Sequence, residues 1–158
     1  MVKIQQPQPD YYATIGGILH LLQQSPYHRR HAVGPYIKDE ILPAVHGGQY
    51  RLFFSAEGAT VALLTWAWIT KPIEQDIHQT GRALFFDEWQ SGERLFFNDF
   101  ICPFSNPLKL IKNELKGVFK DVKRASAIRR GPDGQVKRIS IWRNARVQFV
   151  NPTTRKVA

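Results

Sequence analysis

Ile15, Ile18, Leu19 and Leu22 recur at i, i+3, i+4 and i+7, the apolar stripe of a helix predicted over residues 11–24. Pro26 disfavours helical geometry at Ser25, so the helix ends there or a new turn starts with Ser25 as its cap. Either way SPYHRRH, residues 25–31, is a junction. Ile37, Ile41, Leu42 and Val45 predict a second helix over 36–46, stopped by Gly47-Gly48. The period then shortens to two. Tyr50, Leu52 and Phe54 alternate with Arg51, Phe53 and Ser55, and Ala56-Glu57-Gly58 turns the chain into a partner strand over 60–69. Lys71-Pro72 opens a helix with Ile73, Ile77, Thr80 and Leu84 on one face, and RLFFNDFI, residues 94–101, reads as an aromatic-rich strand. Asn106-Pro107 has the form of an N-cap and first-turn proline for a helix carrying Leu108, Ile111, Leu115, Val118 and Phe119. A last hairpin joins 123–130 to 136–142 through Gly131-Pro132-Asp133-Gly134.

This order of helices, hairpin, helix, strand, helix and hairpin predicts an α+β fold with a mainly antiparallel sheet flanked by helices. Strand 94–101, helix 107–119 and strand 123–130 have the lengths of a parallel crossover. The expected organisation is a flexible segment at 1–10, a single domain over 11–150 and a tail at 151–158.

A chain of 158 residues with 43% hydrophobic and 22% charged residues is ordinary for one globular domain. No apolar run is long enough to span a bilayer, and MVKIQQPQPD has no signal-like apolar core, so a cytoplasmic location is expected. One cysteine, Cys102, excludes an internal disulfide, and the scattered histidines show no zinc-ligand spacing, so no metal is expected. Charge is unevenly distributed. Residues 1–108 hold eight Lys/Arg against ten Asp/Glu, net −2, and residues 109–158 hold fourteen against three, net +11. A basic C-terminal third favours a polyanionic partner without identifying it.

Strict alternation along 94–101 places Leu95, Phe97, Asp99 and Ile101 on one face, setting a carboxylate among apolar groups, where it needs a partner. Asp99 reads as a solvated strand end, as a structural partner of Arg94, or as the orienter of a histidine. Of five histidines, His20, His46 and His78 read as structural or solvent-facing, while His28 and His31 sit at the junction, where functional groups are commonly displayed.

SPYHR, then ILPAVHGGQY, then Trp66-Ala67, then DEWQSGERLFFNDFICPF stand in an order and at spacings that resemble the toxin-activating lysine acyltransferases of RTX cytolysins, the hemolysin C-protein family. The likeness covers about residues 11–105 well and extends loosely to about 143. It implies an acetyltransferase-like (GNAT-like) fold and transfer of a fatty acyl chain from acyl carrier protein to internal lysines of a protoxin, with no bound cofactor. It places His28 on the family's essential histidine, Asp99 on its essential aspartate and Ser25 on the serine three positions earlier. By resemblance, His28 is the base that deprotonates the lysine, Asp99 orients it, Ser25 caps the turn that aims it, and a homodimer is implied. Arg129, Arg130, Lys137 and Arg138 are candidate contacts for the acidic carrier protein, and Trp66, Trp68, Phe96 and Phe97 are candidate walls for the acyl chain. The chain departs from the family pattern in three ways. Cys102 replaces a common alanine, the stretch after SPYHR is one residue longer, and Asp39-Glu40 falls near a usual asparagine.

Two other readings stand beside this one. A related acyltransferase would act on another protein or take its acyl group from coenzyme A, although Pro103-Phe104-Ser105-Asn106 lacks the glycines of a pyrophosphate-binding turn. A non-enzymatic nucleic-acid-binding module would use the basic third with Trp142 and Phe149, although no recognised nucleic-acid motif is present.

Overall fold

A computed structural model describes residues 11–152. The expectations for 1–10 and for most of the C-terminal tail lie outside the described residues. A six-stranded sheet runs in the order β1 (Tyr50–Phe54), β2 (Thr60–Ile69), β3 (Arg94–Ile101), β4 (Arg124–Arg130), β5 (Val136–Arg143), β6 (Arg146–Val150). Every neighbouring pair is antiparallel except β3 and β4, which are joined by the crossover helix α5 (Pro107–Lys116). One sheet face carries α1 (Tyr11–Gln24), a helical run made of α2 (Val33–Tyr36), a π-turn (Ile37–Ile41) and α3 (Leu42–His46), and α4 (Lys71–Thr80). α5 covers the other face, packing Ile111 and Leu115 on Leu64, Leu95, Phe97 and Trp142. The α+β class, the first hairpin and the crossover agree with the sequence.

Several details differ, each for a local physical reason. α1 buries Thr14, Ile18, Leu21 and Leu22, while Leu19 is exposed. The helix lies on β2 through the row Thr14, Gly17, Ile18, Leu21, and a Cβ at Gly17 would stand 2.6 Å from Thr60 Oγ1. This close approach turns the stripe away from Leu19. α4 ends at Thr80 because Gly81 takes a left-handed conformation, φ 71°, so Leu84 reaches the core from beyond the helix. α5 stops at Lys116, leaving Val118 exposed while Phe119 still packs inward. The second helix starts earlier than expected and contains the π-turn just before Pro43, whose ring displaces the carbonyl one turn back. β6 is an element the sequence pattern did not predict.

The alternation expected along β3 fails at one residue. β2 pairs Thr65 with Asp99 and Trp66 with Phe97, leaving Asn98 as the extra residue of a β-bulge. Before it, Leu95 and Phe97 face α5; after it, Asp99 pairs with Thr65 and Ile101 joins the α1 cluster on the opposite face. Asp99 therefore does not share a face with Leu95 and Phe97.

Pairing between β3 and β4 covers Leu95 with Ala125 and Phe96 with Ser126; past these the strands part. Behind this short ladder, Glu74 of α4 is 1% exposed and accepts hydrogen bonds from Arg94 on β3 at 2.5 Å, Ser126 on β4 at 2.5 Å, and Arg124 on β4. Arg94 thus pairs with Glu74, not with Asp99. His78, read as structural or solvent-facing, takes the structural place: it is half-buried with Nε2 3.2 Å from Ser126 Oγ, and burial pushes its pKa down. Burial pushes the Glu74 carboxyl up, but the hydrogen bonds from Arg124, Ser126 and Arg94 outweigh it and hold it below the ordinary 4.5.

Glu74→Gln is expected to lower unfolding free energy at neutral pH by about 3 kcal/mol, the low end for a broken buried pair because both arginines reach solvent. A group held below its unfolded value contributes its full stability above that value and loses it as pH falls through the folded one. In urea titrations the gap between the two proteins should therefore be widest above about pH 5 and close in acid.

Candidate active site

Where β3 and β4 part, a cleft of about 1020 Å³ opens, lined by the junction, by both strands, by β5 and by the first turn of α5. Its floor is apolar, with Phe97, Phe100, Leu108, Ile111 and Trp142, and its opposite wall carries Ser25, Tyr27, His28, Asn98 and Asp99. A ligand with one oily end and one reacting end fits such a cleft.

The junction forms a short 3-10 turn, His28–Arg30, with the Arg29 amide donating to Ser25 O at 3.0 Å. This turn points His28 inward, 9% exposed, with Nε2 2.9 Å from Asp99 Oδ1. On the ring's other side, Ser25 Oγ lies 2.6 Å from Nδ1. A carboxylate only accepts, so Nε2 carries the hydrogen. In the neutral ring Nδ1 is then the lone-pair nitrogen, and Ser25 donates to it. Asp99 is held further. Its amide donates to Thr65 Oγ1 at 3.0 Å, and Tyr36 OH donates to Oδ2, so both carboxylate oxygens have donors.

Tyr36 is a neighbour of the site that sequence reading missed, and Glu40, noted there only as a departure from the family pattern, also lies beside it. Tyr36 sets its ring edge-on to His28, centroids 5.6 Å apart, and stacks on His31 at 5.2 Å. Glu40 Oε2 accepts from Asn98 Nδ2 at 2.9 Å, beside Asp99. Both come from the π-turned run, where an added residue is accommodated as a widened turn. Burial pushes the Tyr36 hydroxyl far up, and the Asp99 carboxylate adds to this, so it stays a donor. Burial also pushes Glu40 up; the Asn98 hydrogen bond opposes the shift and Asp99 adds to it. The available signal was the extra residue in HAVGPYIKDE together with an acid at the position of a usual asparagine.

The structure brings Ser25, His28 and Asp99 into contact, and His20, His46 and His78 lie outside the cleft lining. Arg129, Arg130, Lys137 and Arg138 all line the cleft but differ in freedom. Arg130 is tied to Gly81 O at 2.6 Å and Arg82 O at 3.0 Å, and Lys137 meets Asp133 at 3.2 Å. Arg138 lies 4.2 Å over the Phe149 ring, and Arg129 is exposed. Of the aromatic walls expected for an acyl chain, only Phe97 lines the cleft. Phe96 packs in the α4 cluster, and Trp66 and Trp68 pack on Phe119. Trp142 is 3% exposed, too deep to stack on a base. Cys102 Sγ lies 2.8 Å from Ser105 Oγ, outside the cleft lining. No group of three or more possible metal ligands occurs among the described residues.

Comparison with known proteins agrees with the resemblance seen in the motifs. The RTX toxin acyltransferase family, HlyC, matches residues 8–143. The chain is 29% identical over 105 residues to the lysine-acyltransferase RtxC of Vibrio cholerae serotype O1, covering 66% of this chain and 68% of that protein. It is 34% identical over 116 residues to the RTX-III toxin-activating lysine-acyltransferase ApxIIC of Actinobacillus pleuropneumoniae, covering 73% and 66%. It is 27% identical over 128 residues to the protein-lysine myristoyltransferase RtxC of Kingella kingae, covering 80% and 75%. With the match spanning both the junction that carries His28 and the strand that carries Asp99, the chain belongs to the RTX toxin acyltransferase family.

Proposed function

We propose that this acyltransferase moves a fatty acyl group from acyl carrier protein to an internal lysine of an RTX-type protoxin, with His28 as the base and Asp99 as its orienter. The carrying observation is the relay in which Asp99 fixes Nε2–H of His28 and leaves the Nδ1 lone pair facing the cleft wall at Ser25. A lysine ammonium, pKa about 10.4, must lose a proton before it attacks a thioester. Ser25 Oγ marks the position of a partner for that lone pair, and the incoming amine takes it. The proton moves to Nδ1, nitrogen bonds to the thioester carbon, and Asp99 stabilises the imidazolium. Collapse of the tetrahedral adduct breaks the carbon–sulfur bond, His28 returns its proton to the departing thiolate, and the nitrogen sheds its second proton to solvent to leave the neutral amide. The apolar floor of Phe97, Phe100, Leu108, Ile111 and Trp142 holds the acyl chain.

A carrier-protein donor is favoured over coenzyme A by two features. The basic third supplies cations for an acidic protein. The turn before α5 has no glycines to cradle a pyrophosphate, and its N-terminal amide at Leu108 is already capped by Asn106 Oδ1 at 3.0 Å.

Co-expression with a candidate RTX protoxin is expected to add an acyl mass to a lysine, read by intact mass and peptide mapping. With His28→Ala that modification should fall about 100-fold or more, with folding checked by circular dichroism. Full modification by the variant would contradict the assignment.

Tyr36→Phe removes one donor from Asp99 and is expected to lower kcat/KM about tenfold, within the range for a hydrogen bond to a charged group. A purely structural role would instead lower thermal stability and leave kcat/KM of the folded protein unchanged.

A further inference from the structure

Lys109, Lys112 and Lys116 fall three and four residues apart along one flank of α5, all exposed. Among the described residues none of them joins an ion pair. Glu114 points the other way and pairs with Arg51 of β1 at 3.3 Å. The lysine flank therefore looks toward β5 and β6. There, alternation sends Arg138, Ser140 and Trp142 to the face that α5 covers, and register puts Phe149 and Val147 beside Ser140 and Trp142. α5 covers Trp142 and leaves Phe149 45% and Val147 38% exposed. Arg138 Nε, beside Phe149, is shielded from solvent without a hydrogen-bond partner, a donor in want of an acceptor.

We propose that this trough, with α5 lysines on one bank, Arg138 within it and Phe149 and Val147 as its apolar strip, is the docking surface for the acidic carrier protein. The inference rests on the carrier-donor reading above. Unpaired lysines beside exposed apolar side chains complement an acidic, amphipathic helix better than they complement solvent alone. The trough also meets the cleft directly. Leu108 opens α5 and lines the cleft, and Arg138 lines it from β5. A carrier seated on the trough feeds its thioester arm into the cleft from the side opposite the His28–Asp99 wall, so that the thioester carbon reaches that wall. The lysine substrate is left free to approach from the other side.

The test uses the full chain and its Lys109→Glu/Lys112→Glu/Lys116→Glu variant, with two donors: myristoyl-acyl carrier protein and the small thioester myristoyl-N-acetylcysteamine. The expected result is a fall of about tenfold or more in kcat/KM with the carrier-borne donor, a flatter dependence on ionic strength, and an unchanged rate with the small thioester. The unchanged rate also shows that the variant is folded. A Lys→Gln triple variant should give a smaller fall with the same pattern. Wild-type use of the carrier donor by the Glu variant would overturn the docking surface and leave the donor reading intact. Wild-type enzyme that uses only the small thioester would overturn both. Loss of self-association or of oligonucleotide binding in the variant, with carrier transfer unchanged, would reassign the trough to a second copy or to nucleic acid.

Discussion

The hydrogen bond between His28 and Asp99 joins segments 71 residues apart, and the chemistry proposed for the site depends on it. It forms because the sheet breaks its own alternation at Asn98. Without the extra residue, Asp99 would face α5 with Leu95 and Phe97, among apolar side chains and away from the histidine. The bulge turns the acid to the face where the junction after α1 presents His28, and where Thr65 and Tyr36 supply its remaining hydrogen bonds. One residue of register thus converts a costly buried carboxylate into a satisfied one.

The same strand opens the cleft. Its parallel ladder with β4 is short, and Glu74 locks the closed end by gripping both strands from α4. Past the ladder the strands part over α5, giving a passage with an apolar floor and a polar wall. Each half has its own origin: α5 supplies apolar lining, and the junction supplies His28. The region matched to the family, residues 8–143, includes both halves.

Much of this was legible in the sequence wherever a short-range signal decides the structure. The apolar stripe of α1, the capping Asn106-Pro107 pair, the first hairpin and the crossover follow from local periodicity and turn chemistry. The motifs placed His28, Asp99 and Ser25 in one site, and they do meet. The bulge was not legible, since an unpaired residue in a strand has no mark in RLFFNDFI. Tyr36 was missed because its contact with Asp99 spans 63 residues and leaves no mark in local periodicity. β6 escaped because its turn uses Asn144 and Ala145, both at positive φ, and alanine at the second position hides the usual Asn-Gly signal.

The account turns on which nitrogen of His28 faces the acid. Nitrogen-15 NMR of the imidazole, recorded on the neutral ring in the wild type and in Asp99→Asn, reads this directly. The contact requires the Nε2–H tautomer with Nδ1 unprotonated in the wild type, and loss or mixing of that preference when the carboxylate becomes an amide. A ring protonated on Nδ1, or a tautomer indifferent to Asp99, would mean that the acid does not orient the base.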